Sequence, residues 1–169
     1  MFCYQCQEAA KNEGCTVKGM CGKTEETANL QDLLIYALRG VAVYAEKAKE
    51  LGISDRKDWS FVTQALFNTI TNANFDDDRI AELIKEALNR RETLKEKFLT
   101  TYKDKNGRDF DEALHHSATW FSEDATQFQE KAKSVGVLAT ENEDVRSLRE
   151  LLIIGVKGIA AYADHAAVL

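Results

Sequence analysis

The segment from Leu30 to Leu51, LQDLLIYALRGVAVYAEKAKEL, recurs from Leu148 to Leu169 as LRELLIIGVKGIAAYADHAAVL, with ten identities in 22 positions at an offset of 118 residues. About one identity is expected by chance at ordinary residue frequencies. A repeat at this period constrains the chain to two related helical units. In the first copy Leu30, Leu33, Leu34, Ala37, Leu38, Val41, Ala42, Ala45 and Ala48 recur at three- and four-residue steps, while Asp32, Arg39, Glu46 and Lys49 fill the other side. The pattern predicts an amphipathic helix of about six turns. Thr24, Glu25 and Glu26 suit its start, where amide hydrogens lack partners, and Gly52 suits its stop. Gly40 is matched by Gly158, and Tyr44 by Tyr162. A mid-helix glycine costs about 1 kcal/mol relative to alanine, so its presence in both copies predicts close approach of a neighbouring helix backbone.

Two further helices are predicted, from about Asp58 to Thr71 and from about Asp77 to Tyr102, the second entered through Asp76, Asp77 and Asp78. No run alternates apolar and polar residues for long, and proline is absent. The fold class is therefore all-α, a duplicated helical bundle behind an N-terminal cysteine loop. The expected organisation is a loop over 1–24, a three-helix bundle over 25–102, a connection over 103–123 and the start of a second repeat over 124–169. The second copy of the long helix has no following helices to close over it. Its cover must come from copy one, from a partner through self-association, or, as favoured here, from the C-terminal domains of a longer protein. The connection holds Asn106, Gly107, His115, His116 and Ser117, with Trp120 and Phe121 expected to anchor it to a core.

All four cysteines, Cys3, Cys6, Cys15 and Cys21, lie ahead of the first repeat helix as C-x2-C-x8-C-x5-C. Thiols gathered in one short segment of a chain without a secretory leader read as one four-thiolate metal site rather than two disulfides. Cys3 and Cys6 can face one centre from a single turn, whereas the longer spacers must wrap round an object larger than one ion. An iron-sulfur cubane fits that description, with Gly14, Gly19 and Gly22 permitting tight turns near the sulfurs. Structural zinc, usually held by two short C-x2-4-C hooks, fits the last spacing less well. Redox-active or disulfide-forming thiols are the third reading. The second copy places Lys133 and Ala139 where the first has Cys15 and Cys21, so metal belongs to copy one alone.

Composition excludes several functions. A net charge of -6 with no basic run argues against nucleic acid and against an anionic membrane surface. No stretch approaches 18 uninterrupted apolar residues and the N-terminus lacks a leader pattern, so a cytoplasmic protein is expected. His115 and His116 sit in a polar connection and His165 stands where copy one has Lys47; all three read as surface residues rather than ligands. No phosphate loop or nucleophile elbow occurs. Phe2 and Tyr4 flank the first cysteines and either shield a cluster or simply pack.

The segment MFCYQCQEAAKNEGCTVKGMCGKTEETANLQDLL, with LATENEDVRSLRELLIIGVKGIAAYADHAAVL near the end, closely resembles the N-terminal region of hybrid cluster proteins (prismane proteins, hydroxylamine reductases) of anaerobic bacteria, above all the forms of sulfate reducers. The resemblance implies that Cys3, Cys6, Cys15 and Cys21 ligate a [4Fe-4S] cluster. It further implies an electron-transfer role with a redox donor protein as partner. In that family a hybrid iron-sulfur-oxygen cluster, where hydroxylamine or nitric oxide is reduced, takes its ligands from downstream domains. With its four cysteines committed, this chain is not expected to catalyse the reduction alone. The alternative expectation is a zinc-stapled helical interaction domain without redox activity.

Overall fold

Five α-helices organise the described residues, 1–70 and 73–169, of the computed structural model: α1 (Glu25–Glu50), α2 (Arg56–Ile70), α3 (Asp77–Asn106), α4 (Thr126–Val135) and α5 (Glu143–Val168). The class is all-α. The predicted caps form: the Thr24 hydroxyl accepts from the Thr27 amide at 3.2 Å, and the Asp76 carboxylate accepts from the Arg79 amide at 3.0 Å. Asn142 does the same for α5, accepting from the Val145 amide at 3.0 Å. The 118-residue offset carries Thr24 to Asn142, Glu25 to Glu143 and Glu50 to Val168, so cap and helix ends follow the repeat seen in the sequence.

The core is the seam between α1 and α3. Leu33, Leu34, Ala37 and Val41 pack with Ile80, Ile84, Ala87 and Leu88, and Phe61 and Ala65 of α2 and Phe128 and Ala132 of α4 close the cluster. Each such leucine or isoleucine contributes roughly 1.5–3 kcal/mol on leaving water. Tyr44, Ala48, Leu94 and Phe98 continue the seam toward the far ends of both helices. Beyond those two core residues, α2 lies mainly along α5.

Several boundaries differ from the sequence reading. α3 runs four residues past Tyr102 to Asn106, and Gly107, at φ 68°, ends it in the left-handed conformation that glycine adopts most readily. Asn106 and Gly107 therefore belong to the helix end rather than to the connection. α4 went unpredicted, because its apolar signal is little more than Phe128 and Ala132, one turn apart. The predicted end of α2 at Thr71 lies outside the described residues. Trp120 packs on the core beside Tyr36 and Phe128, as expected, but Phe121 is 41% exposed and anchors nothing.

The two copies differ most in burial. Leu33, Val41 and Tyr44 are 0%, 1% and 4% exposed, whereas their counterparts Leu151, Ile159 and Tyr162 are 65%, 70% and 81% exposed. α5 turns its other side, Ile153, Ile154, Lys157, Ala160 and Ala161, inward. By length and composition α5 alone among the described helices is apolar enough to cross a membrane. Its twin α1 shows that a stripe of this kind also serves as a core-facing surface. The glycine pair separates in the same way. A Cβ at Gly40 would lie 2.2 Å from the Ser117 carbonyl oxygen, so what approaches is the single 3-10 turn His116–Ala118 after α3 and not a long neighbouring helix; at Gly158 nothing lies within 4 Å.

Gly40→Ala is expected to cost about 2–3 kcal/mol, because a backbone carbonyl must move. Gly158→Ala in this chain is expected to be neutral or stabilising by up to about 1 kcal/mol through helix propensity alone. Urea unfolding of both variants checks the contrast, and equal effects would contradict it.

Candidate metal centre

The cysteine loop is shaped by backbone pairing at one end and a turn at the other. Cys3 and Cys15 exchange amide-to-carbonyl hydrogen bonds at 3.0 and 2.7 Å, which sets the first and third thiols on adjacent strands of backbone. Cys6 opens a turn closed by the Ala9 amide on its carbonyl. Cys21 sits within the Gly19–Gly22 turn, where the Gly22 amide donates to the Gly19 carbonyl at 2.9 Å. Cys15 is buried, Cys3 and Cys6 are half-buried and Cys21 is exposed; none is in a disulfide. Gly14 lets this loop close: its φ is 152°, and a Cβ there would lie 2.6 Å from the Phe2 ring. Four unpaired thiols on one loop are a donor set suited to zinc or to an iron-sulfur cluster. Among the described residues, no three histidine, cysteine or acidic side chains already converge as a single-ion site.

Both repeats grip this loop. Gln5, between the first two cysteines, donates through Nε2 to the Ile70 carbonyl at 2.9 Å, and its Oε1 accepts from Lys157 Nζ at 2.9 Å. One amide therefore ties the end of α2 to the middle of α5. Tyr4 donates from its hydroxyl to the Ser147 carbonyl at 3.2 Å, and the Arg146 guanidinium lies over the Phe2 ring at 5.9 Å. Phe2 and Tyr4 also pack on each other, with ring centroids 5.4 Å apart.

Behind the loop lies a set of charges that the sequence reading missed. Lys23, 4% exposed, and Lys157, 6% exposed, join Asp32, Glu150 and Gln31 around a cavity of about 30 Å³ that also touches Cys3. That is room for one water. Gln31 Nε2 is buried there without a hydrogen-bond partner. Burial pushes the Asp32 carboxyl up from 3.8 to about 6, against the Val137 amide at 3.1 Å, which favours its charged form. Burial likewise raises Glu150 and lowers Lys157, the latter opposed chiefly by Asp32. The periodicity gave little signal: Asp32 falls on the polar side of α1 with Arg39, and Lys157 stands at the repeat position of that exposed arginine.

The histidines lie elsewhere. His115 and His116 are exposed and have their rings 4.0 Å apart, and His116 Nδ1 shares a 2.8 Å hydrogen bond with the Tyr36 hydroxyl. Burial, then the neighbouring His116, lowers the His115 pKa. His165 is exposed, edge-on to Phe67.

The model of the Prismane/CO dehydrogenase family matches residues 1–169. Among curated relatives, a hydroxylamine reductase of Nitratidesulfovibrio vulgaris is 69% identical over the whole of this chain, which spans 30% of that protein. One from Halothermothrix orenii is 61% identical, with the same two coverages. One from Desulfitobacterium hafniense is 55% identical over 98% of this chain and 29% of its own length. The chain thus spans less than a third of these relatives.

Asp32 binds its proton more tightly in the folded chain than at its ordinary value, so the stability it contributes is full below about pH 4 and is lost as pH rises toward about 6. Asp32→Asn keeps an acceptor for the Val137 amide and removes that loss. Denaturant unfolding at several pH values, with both proteins in the same metal state, is expected to show the variant gaining on the parent across this window. Parallel profiles would contradict the assignment.

Proposed function

Because this chain belongs to the Prismane/CO dehydrogenase family, we propose that Cys3, Cys6, Cys15 and Cys21 hold a [4Fe-4S] cluster and that the segment relays electrons within a hydroxylamine reductase of the hybrid-cluster type. The observation that carries this reading is the position of four unpaired thiols on one loop clamped by helices of both repeats. Bound there, such a cluster supplies one-electron exchange. The chain's own residues supply the rest: the thiolates bind, Gln5 orients the C-x2-C turn, and Phe2 and Tyr4 keep water from one side. Zinc is the second reading. Structural zinc is usually held by two short C-x2-4-C hooks, which the x5 spacer between Cys15 and Cys21 fits poorly.

No cysteine is left over for another cluster. Reduction of hydroxylamine or nitric oxide at a hybrid cluster is therefore assigned to other parts of a longer protein, and a redox donor protein is the partner proposed for this segment. Free thiols suit a reducing cytoplasm. The open stripe of α5, from Leu148 through Leu151, Leu152 and Ile159 to Tyr162, is proposed as the surface on which the remainder of such a protein packs. Support comes from the repeat: in copy one the same positions are covered by α3 and the Ser117 turn.

Anaerobically prepared protein is expected to be brown, to bleach with dithionite and to carry about four irons per chain. A colourless protein with one zinc would overturn the reading. The 169-residue chain alone is expected to self-associate through α5 in sedimentation experiments, and Leu152→Lys with Ile159→Lys to disperse it. A stable, monodisperse parent monomer would overturn the docking surface.

A further inference from the structure

Lys157 occupies the repeat position of Arg39, yet the two serve opposite environments. Arg39 is exposed on α1, whereas Lys157 is buried on α5, directly under the cysteine loop. A buried ammonium is costly unless other groups compensate its charge. Its hydrogen-bond partner is neutral, the Gln5 amide oxygen at 2.9 Å. The acids near it, Asp32 and Glu150, are themselves poorly solvated and hold their protons more tightly than usual. A second buried lysine, Lys23, stands two residues after Cys21 and lies over the Phe75 ring at 5.8 Å. Cys3 lines the same small cavity as Lys157. The interior behind the loop therefore buries two lysines against the segment that carries Cys3, and Lys157 is held there by a neutral amide.

We propose that Lys157, fixed on Gln5 beneath the cysteine loop, is a positioning residue whose ammonium offsets the negative charge of the thiolate-bound cluster and raises its reduction potential. This rests on the iron-sulfur reading above. Adding one electron makes the cluster more negative, so a fixed positive charge nearby stabilises the reduced form more than the oxidised one. Low local polarity lets that charge act more strongly than it would in water. The same side chain also holds the C-x2-C turn in place, because Gln5 has α2 on its other side. Copy one contributes the thiols and copy two contributes the charge. That division explains why a second repeat without cysteines still reaches the metal loop.

The test is an EPR-monitored redox titration of the protein, with iron per chain measured in parallel, for the parent, Lys157→Met and Lys157→Arg. Lys157→Met is expected to keep its iron and to move the midpoint to a more negative value. The expected shift corresponds to at least a tenfold fall in the reduced-to-oxidised ratio at fixed poise, about 59 mV for one electron. Lys157→Arg is expected to stay near the parent. An unchanged midpoint in an iron-replete Lys157→Met protein would overturn the inference while leaving the iron-sulfur reading intact. Should Lys157→Met lose its iron, Lys157→Gln, neutral but still able to donate to the Gln5 oxygen, provides the second measurement, and an unchanged midpoint there would equally overturn the inference. A parent protein with no redox-active iron would overturn both readings together.

Discussion

A buried guanidinium fixes the order of everything after α3. Arg91 is fully buried; it donates to the Ser117 and Trp120 carbonyls and pairs with the Glu92 carboxylate. Two backbone acceptors and one counter-ion compensate a charge that would otherwise be expensive to bury. The same Ser117 carbonyl rests on Gly40, so no side chain larger than hydrogen fits at that point of α1. Arginine, glycine and turn thus form one lock on the α1 and α3 seam.

From that lock the chain is steered to the cysteine loop. The pinned turn sets Trp120 on the core, α4 follows with Phe128 and Ala132 against α1, and the Val137 amide then finds Asp32. α5 follows, and its first turn and its middle deliver Arg146, Ser147 and Lys157 to Phe2, Tyr4 and Gln5. The candidate centre is therefore built at the junction of the repeats rather than inside either. Were the proposed cluster bound there, its affinity and repeat docking would be linked quantities, since groups that hold the loop also hold α5.

Much of this was legible in the residues. The apolar stripe of Leu30 to Ala48, the Thr24 and Asp76 caps and the duplicated helix all rest on local chemistry, and the helices formed where that chemistry placed them. Spacing also singled out the four-cysteine loop, although the Gln5 contacts that hold it come from residues 65 and 152 positions away along the chain. Such pairings leave no periodic trace. Gly40 was correctly read as a close approach, but the approaching group was a turn, because a missing Cβ records only that something is near. Asp32 was misread for a related reason. Its helical position is polar-side, yet the Gly136–Val137 turn folds over it and makes it an interior acid.

Comparison of the two repeat helices separates intrinsic from acquired properties. α1 and α5 share length, cap type and stripe, so their fold follows from the duplicated sequence. Their burial does not follow from it. α1 is enclosed by α3 and the Ser117 turn, while α5 has one side on α2 and the cysteine loop and the other open. Part of the closed side of α5 is polar, with Lys157 and Glu150 among its residues, so hydrophobic burial alone gives it less hold than α1 enjoys. The contacts to Phe2, Tyr4 and Gln5 make up part of that difference. Filling the thiol loop would stiffen those contacts, and the gain would be felt along α5, the very helix whose other face stands open. On the proposed reading, electron relay and assembly meet on one helix, with Lys157 facing the cysteine loop and Ile159 facing outward.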